Sequence, residues 1–220
     1  MKKMIIFSLA LFAASISFSQ NIRIGFNAGI AMANYKVTAD NVSIKGDTKT
    51  GITLGMVVDV PVSDHVSFQP ALNYVQKGLK NTDGTGTSMI KDESTVNLLE
   101  IPLNLLFNSR GKSGNFFVGA GPSIAFGISG KNKTTYSDGT PEESSKLKFG
   151  NTDQDDLKGL DLGANFLSGY CFKGGFQVSV NYNLGLNNLV PKPVDSEKVK
   201  SHYIGIKLGY MLNGGKEKKK

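Results

Sequence analysis

Apolar side chains alternate with small or polar ones along most of this chain. Between residues 22 and 32 every second residue is apolar, and residues such as Arg23 and Asn27 lie between them. A period of two is typical of a β-strand with one apolar face. The pattern occurs about eight times, and its apolar positions are Ile22 to Met32, Ile52 to Val60, Val66 to Tyr74, Leu99 to Phe107, Phe116 to Phe126, Leu160 to Phe166, Phe176 to Leu184 and Ile204 to Leu212.

The lengths of these runs and of the segments between them are typical of a membrane barrel. A run of about ten residues, rising about 3.3 Å per residue with a tilt near 40°, spans the roughly 25 Å apolar band of an outer membrane. Short periplasmic turns and long outer loops are expected of such barrels. We therefore predict an all-β, eight-stranded antiparallel up-and-down transmembrane β-barrel, with short turns at 61–65, 108–115 and 173–175 and long loops at 34–50, 78–94, 129–158 and 187–201.

The period alone does not show whether the apolar face of each strand points into the barrel or outward. A soluble lipocalin-like barrel shows the same alternation with its apolar face turned inward. The other face of this chain mixes glycines with hydrogen-bonding residues, as a narrow and crowded interior requires, so we favour apolar residues facing lipid. The polar residues assigned to the interior include Arg23, Asn27, Asp59, Gln69, Asn73, Lys77, Glu100, Asn104, Asp161, Asn165, Gln177, Ser179, Asn181, Asn183 and Lys207.

Three prolines fall inside predicted strands. Pro70, Pro102 and Pro122 each lack the N–H group that a strand donates to its neighbour. A closed barrel has no edge at which such a residue avoids pairing. We therefore expect a β-bulge at each proline.

The two ends of the chain differ in composition from its middle. Lys2 and Lys3 precede an apolar run and then the small residues at 17–19, which is the pattern of a secretory signal peptide. The formal charge of +7 comes in large part from a lysine-rich end, which we interpret as a solvated tail, so no nucleic-acid partner is expected. The predicted organisation is a signal peptide at 1–19, an outer-membrane barrel domain at 20–213 and a basic tail at 214–220.

Charges assigned to the barrel interior require partners, because an unpaired charge in a narrow lumen is costly. Arg23 and Asp59 are predicted at similar depth near the periplasmic end. Glu100 and Lys207 are predicted near mid-strand on separate walls, where we expect them to meet across the lumen. Together with Asp161 these residues form the predicted interior polar network, which has a structural role.

Residues capable of catalysis or metal binding are few. His202 lies near Asp195, Ser196 and Ser201 at the predicted outer rim, where a lipid-modifying barrel enzyme would act. The acidic segment 153–156 lacks the glycine and the distant glutamate of a dedicated calcium loop. No catalytic residue, cofactor or metal site is therefore predicted.

Several stretches resemble the PorT-like outer-membrane β-barrel family of Gram-negative bacteria. They are Ser67-Phe68-Gln69-Pro70-Ala71-Leu72-Asn73-Tyr74 with Lys77-Gly78, Leu99-Glu100-Ile101-Pro102-Leu103, Phe117-Val118-Gly119-Ala120-Gly121-Pro122 and Tyr182-Asn183-Leu184-Gly185-Leu186-Asn187-Asn188. Ala71 stands where the family often has glutamate. The resemblance covers nearly the whole chain after the signal peptide and implies an outer-membrane barrel.

An eight-stranded barrel is filled by its own side chains, so a general diffusion pore is not expected. Function is then expected in the loops, above all in 129–158. The first hypothesis is a non-catalytic outer-membrane protein in contact with lipid, structural or binding an envelope partner such as a secretion or uptake assembly through its loops. Two alternatives stay open: a lipid-modifying enzyme near His202, and a soluble lipocalin-like carrier.

Overall fold

The computed structural model describes residues 22–39, 42–84, 89–109, 111–137, 140–193 and 197–212. The predicted signal peptide and basic tail lie outside the described residues and stay predictions. Within the described part of the chain, no helix is long and apolar enough to cross a membrane. The strands are β1 (Arg23–Ala39), β2 (Val42–Lys45), β3 (Asp47–Pro61), β4 (Val66–Asp83), β5 (Ile90–Asn108), β6 (Gly114–Tyr136), β7 (Glu143–Lys146), β8 (Leu160–Phe172), β9 (Phe176–Gly185) and β10 (Lys198–Leu212).

Eight of these strands close into a ring. The order around the ring follows the chain, from β1 through β3, β4, β5, β6, β8 and β9 to β10, and every neighbouring pair is antiparallel. The seam that closes the ring runs from Ile24 opposite Leu212 to Thr38 opposite Lys198. The short strands β2 and β7 pair with the extracellular ends of β1 and β6. The predicted eight-stranded up-and-down barrel is confirmed.

The outside of the ring is apolar and the inside is polar. Phe26 and Leu208 are each 54% exposed on the outer surface, whereas Lys77 and Glu100 are each 1% exposed in the interior. Exposed apolar side chains around a whole barrel are stable only against hydrocarbon, since in water they would form an unusually large apolar patch. The soluble lipocalin-like alternative, which requires an apolar interior, is therefore wrong.

Several strands continue well beyond the apolar band. β4, β5 and β6 contain 18, 19 and 23 residues. Parts of the predicted loops 34–50, 78–94 and 129–158 are therefore strand, which corrects the expected run length. The apolar alternation did not reveal these extensions, because strands that project into water are held by cross-strand polar pairs instead of an apolar face.

The expected bulges at the prolines are absent. Beside Pro70, Pro102 and Pro122 the ladder loses two residue pairs on one side, but the register is the same before and after each gap. Each proline still pairs with the strand on its other side, opposite Leu103, Ser123 and Ala164 respectively. Because each strand residue directs its N–H to one neighbour only, a missing N–H interrupts one ladder without displacing the strand. The register shifts that do occur lie between Thr48 and Thr53 and between Asn97 and Leu98.

Candidate functional site

A cluster of buried charges occupies the extracellular half of the lumen. The ammonium of Lys77 donates to Asp161 Oδ2 at 3.0 Å and to Ser201 Oγ at 3.3 Å. It also lies 3.9 Å from Glu100 Oε2 and 5.0 Å from the centre of the Tyr203 ring. Ser201 donates to the same Asp161 oxygen at 2.6 Å, and Tyr203 donates to Glu100 Oε1 at 2.7 Å. One lysine therefore neutralises part of the charge of two carboxylates.

This cluster connects four separate walls of the barrel. Lys77 comes from β4, Glu100 from β5, Asp161 from β8, and Ser201 with Tyr203 from β10. None of the five is more than 5% exposed. Charged hydrogen bonds between opposite walls of a narrow cylinder fill its centre and fix the walls relative to one another.

A layer of amide side chains lies among the other interior residues. Asn181 donates to Asn165 Oδ1 at 3.1 Å, and Asn165 donates to Asn104 Oδ1 at 3.0 Å. The asparagines occupy the space that facing glycines leave free: a Cβ on Gly205 would collide with the Asn181 amide oxygen. The mixture of glycine and asparagine in the sequence is thus a packing requirement of the lumen.

A small polar cavity adjoins the amide layer. Its volume is about 40 Å³, which accommodates roughly three water molecules at about 10–15 Å³ each. Lys207 lines this cavity and, among the described residues, forms no ion pair. The predicted contact between Glu100 and Lys207 is therefore wrong: Lys77 and Tyr203 contact Glu100, while Lys207 faces the cavity. Other residues that line the cavity include Asn27, Gln69, Asn73, Asn104, Gln177 and Ser179.

A separate ion pair lies at the periplasmic end of the lumen. Arg23 on β1 is directly opposite Asp59 on β3 in the ladder. The guanidinium donates to Asp59 Oδ2 through Nε at 3.1 Å and through Nη2 at 2.6 Å. Asp59 is 1% exposed, so this pair closes the first hairpin beneath the cavity.

An apolar cap covers the extracellular end of the lumen. It consists of strand residues that face inward above the charge cluster and of loop residues that fold over them. The loops are held by backbone hydrogen bonds, from Leu147 to the Gly130 carbonyl at 3.0 Å and from Leu189 to the Val199 carbonyl at 2.9 Å. The buried members of the cap are Tyr35, Val96, Leu98, Ala125, Leu147 and Leu189, with Leu79, Phe149, Leu157 and Val199 packed against them.

A wall formed by the extensions of β3 to β6 rises on one side of this cap. Asp47, Lys80, Glu93 and Lys133 lie opposite one another on successive strands, so their charges alternate in sign. A hydrogen bond from Lys49 lowers the pKa of Glu93 below its ordinary value. Burial, the next largest effect, acts in the opposite direction, and attraction to Lys49, Lys80 and Lys133 lowers the pKa further. This charge row stabilises the wall without an apolar face.

Two important parts of the interior were not predicted from the sequence. Lys77 was assigned to the inner face but was not recognised as the centre of the charge cluster. The two-residue period places Lys77 on the inner face of β4 with the buried Gln69 and Asn73, but it does not reveal the partners of the Lys77 ammonium group. The cap had no such signal, since Leu147 and Leu189 lie in polar segments without periodicity.

Among the described residues of the rim, Ser201 and His202 do not form a catalytic pair. Ser201 points into the lumen and donates to Asp161, whereas the adjacent His202 lies on the other face of β10. Asp195 and Ser196, the other residues considered with it, lie outside the described residues. In the described ranges no cluster of three or more His, Cys, Asp or Glu side chains could hold a metal ion.

The acidic segment 153–156 consists of side chains with separate partners. Asp155 accepts hydrogen bonds from the backbone and hydroxyl of Thr152, which lower the pKa of its carboxyl group. Asp156 accepts from the Lys148 backbone at 2.8 Å, and Asp153 pairs with Lys192 at 3.1 Å. The segment therefore stabilises its own loop.

A known sequence family agrees with this architecture. The sequence profile described as "Outer membrane protein beta-barrel domain" matches residues 18–190. No curated protein sequence matches. Solved structures similar to the chain include Ail, the attachment invasion locus protein of Yersinia pestis (13% identity, 86% of this chain, 98% of that chain, TM-score 0.39), and Neisserial surface protein A (13%, 85%, 97%, 0.38). Another is the outer membrane protein OprG of Pseudomonas aeruginosa (12%, 88%, 95%, 0.43).

Proposed function

This chain belongs to the outer membrane protein beta-barrel domain family and resides in the outer membrane, and from that premise we propose that it is a closed, non-catalytic barrel that acts by binding an envelope partner at its extracellular wall. The observation that carries the proposal is the filled lumen. The charge cluster around Lys77 and the apolar cap above it occupy the path through the barrel. With no passage, activity belongs to the surface that projects from the membrane.

The extracellular wall has the properties of a binding surface. It is built on a rigid ladder, in which β5 and β6 are paired from Ile90 opposite Tyr136 toward the membrane. It carries both charge signs and hydroxyl groups, so it can form directional contacts with a protein. The edge of β7 that faces away from β6 lies beside this wall and offers backbone groups for pairing.

We also propose that the chain is a PorT-like member of its family. The support for this proposal is the resemblance of the strand sequences. Of the residues that carry it, Glu100 and Pro102 lie in β5, and Pro122 lies in β6. A role beside a secretion or uptake assembly follows from that proposal alone. The lipid-modifying alternative has less support, because Ser201 and His202 lie on opposite faces of β10.

Site-specific photocrosslinking in intact cells tests the proposed wall. A crosslinking residue at Lys91, on the wall, is expected to give a discrete adduct with one partner protein. The matched control is the same residue at Ser63, which is exposed in a short turn at the opposite end of the barrel. Adducts at Ser63 but not at Lys91, or at neither position, would contradict a partner-binding wall.

A further inference from the structure

Lysines face one another across the seam that closes the barrel. Lys36 on β1 lies directly opposite Lys200 on β10 and, on its other side, opposite Lys45 on β2. Lys198 follows in the same extension of β10. Like charges directly opposite one another in a ladder destabilise it. An arrangement that is unfavourable for the isolated protein is explained if an anion lies against it.

The rest of the described structure does not neutralise these lysines. Lys36, Lys198 and Lys200 form no ion pair with any described residue. The opposite wall shows that the fold can balance such rows, since Lys80 and Lys133 there lie on either side of Glu93. Lysines face one another elsewhere too, since Lys131 on β6 lies opposite Lys146 on β7. At the seam, however, the facing lysines belong to the two strands that close the ring.

The depth of the lysines indicates what the anion is. The outward apolar residues end at Met32 on β1 and Ile204 on β10, which are paired. Lys36 and Lys200 lie four residues farther along each strand, and on the same face. At about 3.3 Å per residue and a tilt near 40°, they are about 10 Å above the hydrocarbon, at the level of lipid headgroups.

We propose that Lys36, Lys198 and Lys200 form a binding site for a phosphate-bearing lipid headgroup of the outer leaflet. The site, called here the seam lysine site, places ammonium groups at headgroup depth above the apolar surface of β1 and β10. Acyl chains of the same lipid would lie along Ile30 and Ile206, which are 43% and 40% exposed. This inference is independent of the proposed protein partner.

Binding of diphosphorylated lipid A tests the site. The full chain is reconstituted in phosphatidylcholine nanodiscs that contain fluorescent lipid A, with or without its phosphates, and proximity to the protein is measured. The wild type is expected to prefer the phosphorylated form. A lysine near an anionic membrane surface contributes about fivefold to affinity, so Lys36→Gln with Lys200→Gln should weaken the preference about 30-fold. High salt should weaken it in the wild type as well.

The matched control is Lys80→Gln with Lys133→Gln, which removes the same charge from the opposite wall. It should keep the preference for the phosphorylated lipid. In phosphatidylcholine alone, the variant with Lys36→Gln and Lys200→Gln should be at least as stable as the wild type, because the repulsion between the two lysines is gone. Equal lipid binding by both double variants would overturn the proposal. A soluble sulfated polysaccharide that binds the seam as well as the phosphorylated lipid would overturn it too.

Discussion

At the scale of single residues, the interior depends on a few charges whose partners come from distant parts of the sequence. Lys77 and Asp161 are 84 residues apart, and Tyr203 and Glu100 are 103 apart. Alternation is sufficient to assign each of them to the inner face. It cannot determine partners, because strand tilt and stagger decide which inward residues reach one another across the lumen. For this reason the expected contact of Lys207 with Glu100 does not form.

Removing the Lys77 ammonium tests the charge cluster. Lys77→Met should destabilise the barrel by about 3–5 kcal/mol, because it leaves two carboxylates in the lumen without their cation. Adding Glu100→Gln and Asp161→Asn should restore most of the loss. Unfolding in urea, followed by circular dichroism of the backbone, measures the difference in the free energy of unfolding. Lys80→Met, at a position 49% exposed, serves as the control and should change stability by at most about 0.5 kcal/mol. A Lys77→Met variant as stable as this control would show that the cluster does not stabilise the fold.

At the scale of elements, the strands have two parts held by different forces. Inside the membrane, outward apolar residues such as Leu54 and Leu208 face lipid, and the ladder satisfies the backbone. Above the membrane, β4 to β6 continue as a water-exposed wall whose charge row alternates in sign. Each part follows its own pattern, and only the first has the alternation that predicted the strands.

The charge row should make the wall sensitive to acid. The folded-state pKa of Glu93 lies below its ordinary value of 4.5, so its ion pair with Lys49 stabilises the fold above that pH and is lost as the pH falls through the folded-state pKa. Glu93 is 41% exposed, so the effect is about 0.5 kcal/mol. The measurement is amide hydrogen exchange of β5. Glu93→Gln should exchange faster than the wild type at neutral pH and equally fast in acid; a difference that persists in acid would contradict the ion pair.

At the scale of the whole molecule, two layers close the barrel above the amide layer of the lumen. The apolar cap excludes water from above, and the charge cluster fills the lumen beneath it. Parts of the predicted loops 129–158 and 187–201 serve as a cover, since Leu147 and Leu189 are buried. The proposed partner surface is the extracellular wall, because the buried cap residues are not accessible to another protein.

Ion conductance in planar bilayers tests the two layers. The wild type should not conduct. Leu147→Asp with Leu189→Asp should open the cap yet still not conduct, because the charge cluster and the amide layer beneath it still fill the lumen. Ile90→Asp, on the exposed wall, is the control for an added charge. Steady conductance by the wild type, or by the cap variant alone, would show that the cap and the charge cluster do not both close the lumen.

The sequence by itself determined the eight strands of the ring, their antiparallel order and the face of each residue within the apolar runs. These properties follow from a period of two and from the length of chain that crosses a bilayer. Only the tertiary structure decided which inward charges meet, where the strands end above the membrane, and that Leu147 and Leu189 cover the lumen. The physical reason is that a face is a local property of the chain, whereas contacts across a closed cylinder depend on the stagger of all eight strands.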